Sequence, residues 1–268
     1  MKRILLVLMT VMLLLAALPS LAEGELKGFK ENGNRYVYVT LGRYPQTIDG
    51  GDPKAGMNAW NWSHQVVSDP ASLNITPEPI LWRVLTADEG KAYLCSEYVL
   101  FAHPTHTDVT GYKKIGKDFG GTQLSAYLNT EFAAEAFTAE ELSLLQENGT
   151  RGRVFLLTGD DVRNRALGMG NGEGLKGWGT EYAIRVTKLF VYRTVRGSHS
   201  PYWVMDQCQS DPRHARCTKG DGSLGHIVSD RDNEGVRPAV YLTMGSFDIA
   251  GGRGTMDDPY VIAPKTAE

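Results

Sequence analysis

Three cysteines and six histidines in 268 residues leave little material for a metalloprotein. A zinc site takes four ligands, drawn mostly from those two residue types, and neither a CxxC pair nor an HExxH run occurs. A GxSxG nucleophile elbow is missing too. The GxGxxG string at 220–225 follows no strand and opens no helical pattern, so it carries no dinucleotide signature. Clustered positive charge is also lacking. The 28 Lys and Arg are scattered among 31 Asp and Glu, for a net charge of −3. Nucleic acid is therefore a disfavoured partner, since phosphate backbones demand a concentrated basic face. Beyond residue 18 no apolar run approaches the roughly 20 residues that a membrane helix needs. There is no internal repeat, and no strand–helix alternation of the kind that builds doubly wound nucleotide folds.

What is present begins with an export signature. Lys2 and Arg3 precede an uncharged, mostly apolar run over 4–18; Pro19 ends it, and Ser20-Leu21-Ala22 offers small residues at the −3 and −1 positions of a cleavage site. The expectation is a signal peptide over 1–22, cleaved after Ala22, and a single extracellular domain over 23–268 with no membrane span of its own. Export implies an oxidising compartment. Cys208 and Cys217 bracket the polar stretch CQSDPRHARC and are expected to form a disulfide, whose short loop would contribute roughly 2–3 kcal/mol. The alternative for this stretch is a secreted enzyme with a thiol or metal site around Cys208, His214 and Cys217. Cys95, in the alternating run KAYLCSEYVLF, is expected as a buried strand residue.

Patterning predicts an α+β fold. RYVYVTLG alternates like a strand, and an irregular segment rich in Gly, Pro, Asn and Asp follows over about 43–78. PILWRVLT and KAYLCSEYVLF, joined through Asp88, Glu89 and Gly90, form a hairpin. Leu124, Tyr127, Leu128 and Phe132 recur at helical spacing. Thr138 and Glu141 make a capping box for a second short helix that stops at Asn148-Gly149. RVFLLTG, EYAIRVT, LFVYRTV, YWVM, GHIVS, RPAVYLTM and YVIA read as strands separated by long loops. The picture is a small twisted antiparallel sheet with two short helices.

The succession LGRYPQ, PILWRVL, AYLCSEYVL, LSAYLNTEF, AFTAEE, VFLLTGDDV, TEYAI, YWVMD and GVRPAVYL, over about residues 36–243, resembles a bacterial family of secreted domains of unknown function. That family is similar to C-type-lectin-like and formylglycine-generating-enzyme-like domains. The resemblance implies a lectin-like fold with long loops and carries no activity. The chain departs from it at Tyr202–Gln207, where the family has Trp-Trp-Leu-Arg-Ser-Pro, and in its longer 43–78 loop.

The candidate binding residues follow from chemistry that suits a glycan or an extracellular protein; a purely structural surface module without a small ligand is the further alternative. Trp60 and Trp62, two apart in KAGMNAWNWSHQ, would turn both indoles to one side of an extended backbone, or else pin a long loop to the domain. Trp203, Asp206 and the 206–235 region would complete the surface. Arg237, an odd charge between apolar neighbours, is expected to pair with an acid such as Asp206 or to send its head to water. Asp230 to Gly235 copies the first half of a calcium loop but has Tyr241 where the closing acid belongs, so a solvated turn is expected there and Ca²⁺ is the only cofactor entertained.

Overall fold

The computed structural model describes Leu26 and residues 36–48, 50, 62–88, 90–170, 175–194 and 197–265. The expected signal peptide and Trp60 lie outside the described residues. Strand β1 (Val37–Tyr44) leads through the long loop into the hairpin β2 (Glu78–Asp88) and β3 (Lys91–Ser96), whose last rung joins Asp88 to Lys91. Short strands β4 (Tyr98–Val99) and β5 (Phe101–Ala102) follow. Helix α1 (Val109–Ile115) starts at Asp108, whose carboxylate accepts the Thr110 amide. Helix α2 (Gln123–Tyr127) runs through a π-helical turn, Leu128–Phe132, into α3 (Ala133–Ala136). Its predicted face is buried at Leu124, Leu128 and Phe132. Helix α4 (Ala139–Ser143) carries the predicted capping box of Thr138 and Glu141.

The chain then alternates loops with β6 (Val154–Phe155), β7 (Trp178–Gly179), helix α5 (Glu181–Arg185), β8 (Tyr192–Thr194), β9 (Gly197–His199), β10 (Tyr202–Gln207), β11 (His214–Thr218) and β12 (Leu224–Val228). It closes with β13 (Gly235–Val236), β14 (Ala239–Thr243), β15 (Phe247–Gly251) and β16 (Tyr260–Pro264). EYAIRVT, expected as a strand, is therefore helix α5. Thr180 caps it by accepting the Ala183 amide, and Glu181 and Arg185 pair across one turn at 2.5 Å, local bonds that outweigh the strand-like alternation.

There are two main sheets where a single small one was expected. Seven strands run in the order β15-β16-β1-β2-β3-β14-β6, and five in the order β12-β11-β10-β13-β5. Pairing is mixed rather than antiparallel throughout, because β1 with β16, β10 with β13 and β4 with β7 are parallel. A single buried cluster takes in strands of both sheets. No helix among the described residues is long and apolar enough to cross a membrane.

Three charged side chains sit inside that cluster. Arg83 on β2 grips Glu97 with two parallel bonds, Nε to Oε2 at 2.7 Å and Nη2 to Oε1 at 2.6 Å. Arg237, 1 % exposed, lies 3.8 Å from the same carboxylate and donates from Nε to the Ser96 carbonyl at 2.6 Å. Its partner is thus Glu97 and not the expected Asp206. The Tyr36 ring covers the Arg83 guanidinium at 4.1 Å. Burial, and then Glu97, pushes the nearby Tyr38 hydroxyl up to about 12.

LGRYPQ is built into the same frame. At Gly42 the backbone is left-handed (φ 68°), and a Cβ there would stand 2.6 Å from the Ala136 carbonyl, so only glycine fits. Tyr44 packs on Phe101 and Phe132, and Gln46 donates to the Glu78 and Pro79 carbonyls of β2. Trp82 donates to the Leu41 carbonyl at 2.8 Å.

Two outcomes follow from these buried charges. Glu97→Ala strips the only carboxylate from two buried guanidiniums and should cost about 3–5 kcal/mol in urea unfolding. Glu234 is a separate case: burial raises its carboxyl to about 7, with Arg231 opposing. The native state then holds this proton more tightly than the unfolded chain, so its contribution to stability is full below about 4.5 and is lost as pH rises towards 7. Glu234→Gln should flatten that limb of the stability–pH curve measured by urea midpoints.

Candidate functional site

The mouth of the five-stranded sheet carries a pocket of about 400 Å³ lined by β10, β11, β12 and the segments that hold Lys117, Arg151, Thr158 and Ser210, a size ordinary for a small ligand. Its cations come from three places. Alternation along β11 buries Ala215 and Cys217 on one face and leaves Arg216 on the other, opposite His226 in the ladder to β12. Lys117 follows α1, just past Gly116. Arg151 belongs to a short turn that the π-helical segment holds in place. There Asn129 donates to the Arg151 and Val154 carbonyls at 3.1 and 2.9 Å, and accepts the Arg153 and Val154 amides.

The Lys117 and Arg151 segments are tied directly to each other. Asp118 accepts the Thr150 hydroxyl at 2.8 Å and the Gly120 amide at 3.1 Å. Gly120 approaches the Thr150 carbonyl so closely that a Cβ would stand 2.0 Å from it.

The acid in this wall is Asp206, half-buried on β10, where the ladder to β11 shifts register between Trp203 and Gln207. Its carboxylate accepts the Gly159 amide, and the Met205 amide bonds the Leu157 carbonyl, fixing the 157–159 segment beside β10. Gln207 is spent on the Tyr112 and Pro212 carbonyls. Among the described residues no carboxylate lies within 4 Å of the Lys117, Arg151 or Arg216 charge, whereas nearby Arg163 is paired with Asp160 at 2.9 Å and Arg153 with Glu147 at 3.2 Å. Three cations thus meet one acid among the residues that line this pocket.

The Cys208 thiol lines the same wall, 3.2 Å from the Ser210 hydroxyl. Burial works to raise it, but the Ser210 hydroxyl, the Asp211 and Ser210 amides and the Arg216 charge together hold it below its ordinary value. Cys217 is the reverse: burial, reinforced by Glu234, pushes it up to about 12.

The expected residues scatter. Trp203 is 1 % exposed and donates to the His103 carbonyl at 2.8 Å, so it is core and offers no ligand surface. Arg237 is equally buried and is likewise removed from any ligand. Trp62 is half-buried against the core, and its segment hangs on α5 through Val67 to the Arg185 carbonyl and Arg185 to the Gln65 carbonyl. That is the loop-anchor arrangement. Of the expected residues that are described, Asp206 and Cys208 reach the pocket.

The expected disulfide is not formed, and Cys95, Cys208 and Cys217 are free thiols. The hairpin register explains why. Trp203 faces Cys217, while the Cys208 amide bonds the His214 carbonyl. The two cysteines are therefore offset along the ladder by three residues, on the order of 10 Å, beyond the roughly 7 Å that a bridge tolerates between Cα atoms.

A joint Cys208–His214–Cys217 site is not assembled either, because His214 and Cys217 fall on opposite faces of β11 and His214 is engaged by Asp211 at 2.9 Å. Among the described residues no three His, Cys, Asp or Glu side chains come together as metal ligands. In the 230–235 turn Asp230 and Asp232 point to solvent while Glu234 turns inward.

Comparison with protein families, curated proteins and solved structures finds no match for this chain.

The thiol assignments have a direct readout. Titration of the unfolded protein without reductant should give three thiols per chain, and titration of the folded protein should give fast reaction at Cys208 alone. One thiol in the unfolded protein would restore the bridge.

Proposed function

We propose that this chain is an extracellular binding domain of lectin-like α+β fold that captures an acidic group on a glycan in the pocket formed by Lys117, Arg151, Asp206, Arg216 and His226. The observation that carries the reading is the surplus of cations. A guanidinium half-withdrawn from water loses hydration, and proteins normally repay that loss with a carboxylate, as this chain does at Arg83, Arg153, Arg163 and Arg185. At Arg151 and Arg216 that repayment is left for something else to provide. Arginine suits the task because its planar fork meets a carboxylate, sulfate or phosphate with two parallel bonds.

The neutral lining fits the rest of a sugar. Thr158, Gln209 and Ser210 can exchange hydrogen bonds with hydroxyls, and Phe119 and Met205 offer apolar area for a ring face. An acidic net charge on the chain as a whole is compatible with such a site, because a local cluster sets the field at its own mouth.

A screen of the protein against neutral and acidic glycans tests the proposal. Binding should be confined to acidic members and should fall with added salt. Arg216→Gln and Arg151→Gln should each weaken it by about tenfold or more, with melting temperatures close to the parent's. Arg253→Gln, which removes an exposed cation paired with Asp258 elsewhere, should leave binding unchanged. Equal binding of neutral glycans, or indifference to Arg216→Gln, would overturn the proposal.

A further inference from the structure

Building on the acidic-ligand reading of this pocket, the geometry points to a more specific ligand: a doubly charged phosphate monoester carried on a polyol, in preference to a singly charged carboxylate or sulfate ester. The argument starts from charge. Among the residues that line the pocket, Lys117, Arg151 and Arg216 face one carboxylate, Asp206, a surplus of two positive charges in the lining. A monoanion would neutralise only half of that excess. A phosphate monoester carries close to −2 at neutral pH and presents three acceptor oxygens, one for each cation.

Placement agrees with the count. The cations do not lie along one strand, where they would suit an extended polyanion; they stand on three separate segments around one open pocket. Arg216 projects from β11, Arg151 from the turn clamped by Asn129, and Lys117 from the end of α1. The backbone segments that carry the two loop cations are tied to each other by Asp118, Thr150 and Gly120, so the roots of these side chains are held in place before any ligand arrives. Such preorganisation matters for a small dianion, which cannot bring flexible cations together without ordering them.

Asp206 has a part as well. Its Oδ2 accepts the Gly159 amide, and a carboxylate in the lining can also accept a hydroxyl from the alcohol portion. It also repels a ligand whose negative charge extends across the whole pocket. The pocket of about 400 Å³ holds a group the size of a monosaccharide phosphate.

The experiment compares ligands of one shape and two charges by calorimetry: glucose 6-phosphate against glucose 6-sulfate, with glucuronate and inorganic phosphate alongside, at one pH and ionic strength. The phosphate ester should bind about tenfold or more tightly than the sulfate ester, the effect of one further charge facing cations at short range. Arg151→Gln and Lys117→Gln should erase most of that preference while weakening the sulfate ester much less. Inorganic phosphate binding as tightly as the ester would overturn the polyol part and leave a phosphate site. Sulfate ester or glucuronate binding as well as the phosphate ester, with both still lost in Arg216→Gln, would overturn this inference and leave the acidic-ligand reading standing. Binding of none of the four would overturn both. A phosphate borne by a polymer and one borne by a free sugar are told apart by repeating the titration with a poly(glycerol phosphate), whose internal diesters carry one charge each and should bind only through chain ends.

Discussion

The bidentate bond between Arg83 and Glu97, closed over by Arg237, is the constraint from which the rest of the fold takes its position. Arg83 lies on β2, Glu97 just after β3, and Arg237 between β13 and β14, so three separate stretches of chain must meet before any of these charges is satisfied. A lone buried carboxylate or guanidinium costs several kcal/mol, which leaves few alternative registers for the hairpin. Arg237 also binds the Ser96 carbonyl and stands near the Tyr202 hydroxyl of β10. The seven-stranded and five-stranded sheets are thereby linked through one polar knot inside an otherwise apolar core.

This link has a consequence for the pocket. Strand β10 carries Tyr202 at its inner end and Asp206 at its outer end, with the register shift between them. Fixing Tyr202 next to Arg237 fixes where β10 begins, and the bulge then sets which side Asp206 faces. The opposite wall is held by different means, a π-helical turn whose Asn129 bonds four backbone groups of 151–154. An extra residue in a helical turn is tolerated where it brings a side chain to such a use. The two buried arginines, Arg83 and Arg237, share the Glu97 carboxylate, whereas among the described residues Arg151 and Arg216 at the pocket have no carboxylate within 4 Å.

How much of this the sequence disclosed depends on the range of the interactions involved. The β2–β3 hairpin, the amphipathic face of α2 and the capping box of α4 rest on neighbours a few residues apart, and all three are as the pattern indicates. The parallel pairings of β1 with β16 and β10 with β13 join residues distant in sequence, and no local alternation encodes them. Arg237 was conspicuous as a charge among apolar neighbours, but its partner lies 140 positions away in the chain, too far for spacing to name. The site was less legible. Asp206 and Cys208 were singled out, with the 206–235 region to which Arg216 and His226 belong, and the alternation of β11 could have set Arg216 apart from Ala215 and Cys217. Lys117 and Arg151 sit in polar loops where a basic residue is ordinary; only the turn geometry makes them neighbours. The cysteine pair misled because nine positions in a polar stretch suggest a loop that folds back on itself. The chain does fold back, but as a hairpin whose register sets the thiols at different rungs.

The motifs that carry the resemblance to secreted domains gain a physical meaning from this contrast. Gly42, Tyr44 and Gln46 of LGRYPQ, Trp82 and Arg83 of PILWRVL, and Arg237 of GVRPAVYL all serve the core, by close approach, aromatic packing, hydrogen bonding to β2 or the buried charge knot. None of them touches the pocket. A pattern built from such residues specifies a scaffold and is silent about a ligand, because the packing it protects is the same whatever the rim binds. The rim residues are under the opposite pressure. Arg151, Arg216 and Lys117 repel one another across the empty pocket, so they add nothing to the fold by being cationic. A ligand that supplies the missing negative charge stabilises the native state in proportion to its occupancy. On the proposed reading a ligand accounts for their placement, and the fold has to be stable enough to carry that charge by itself.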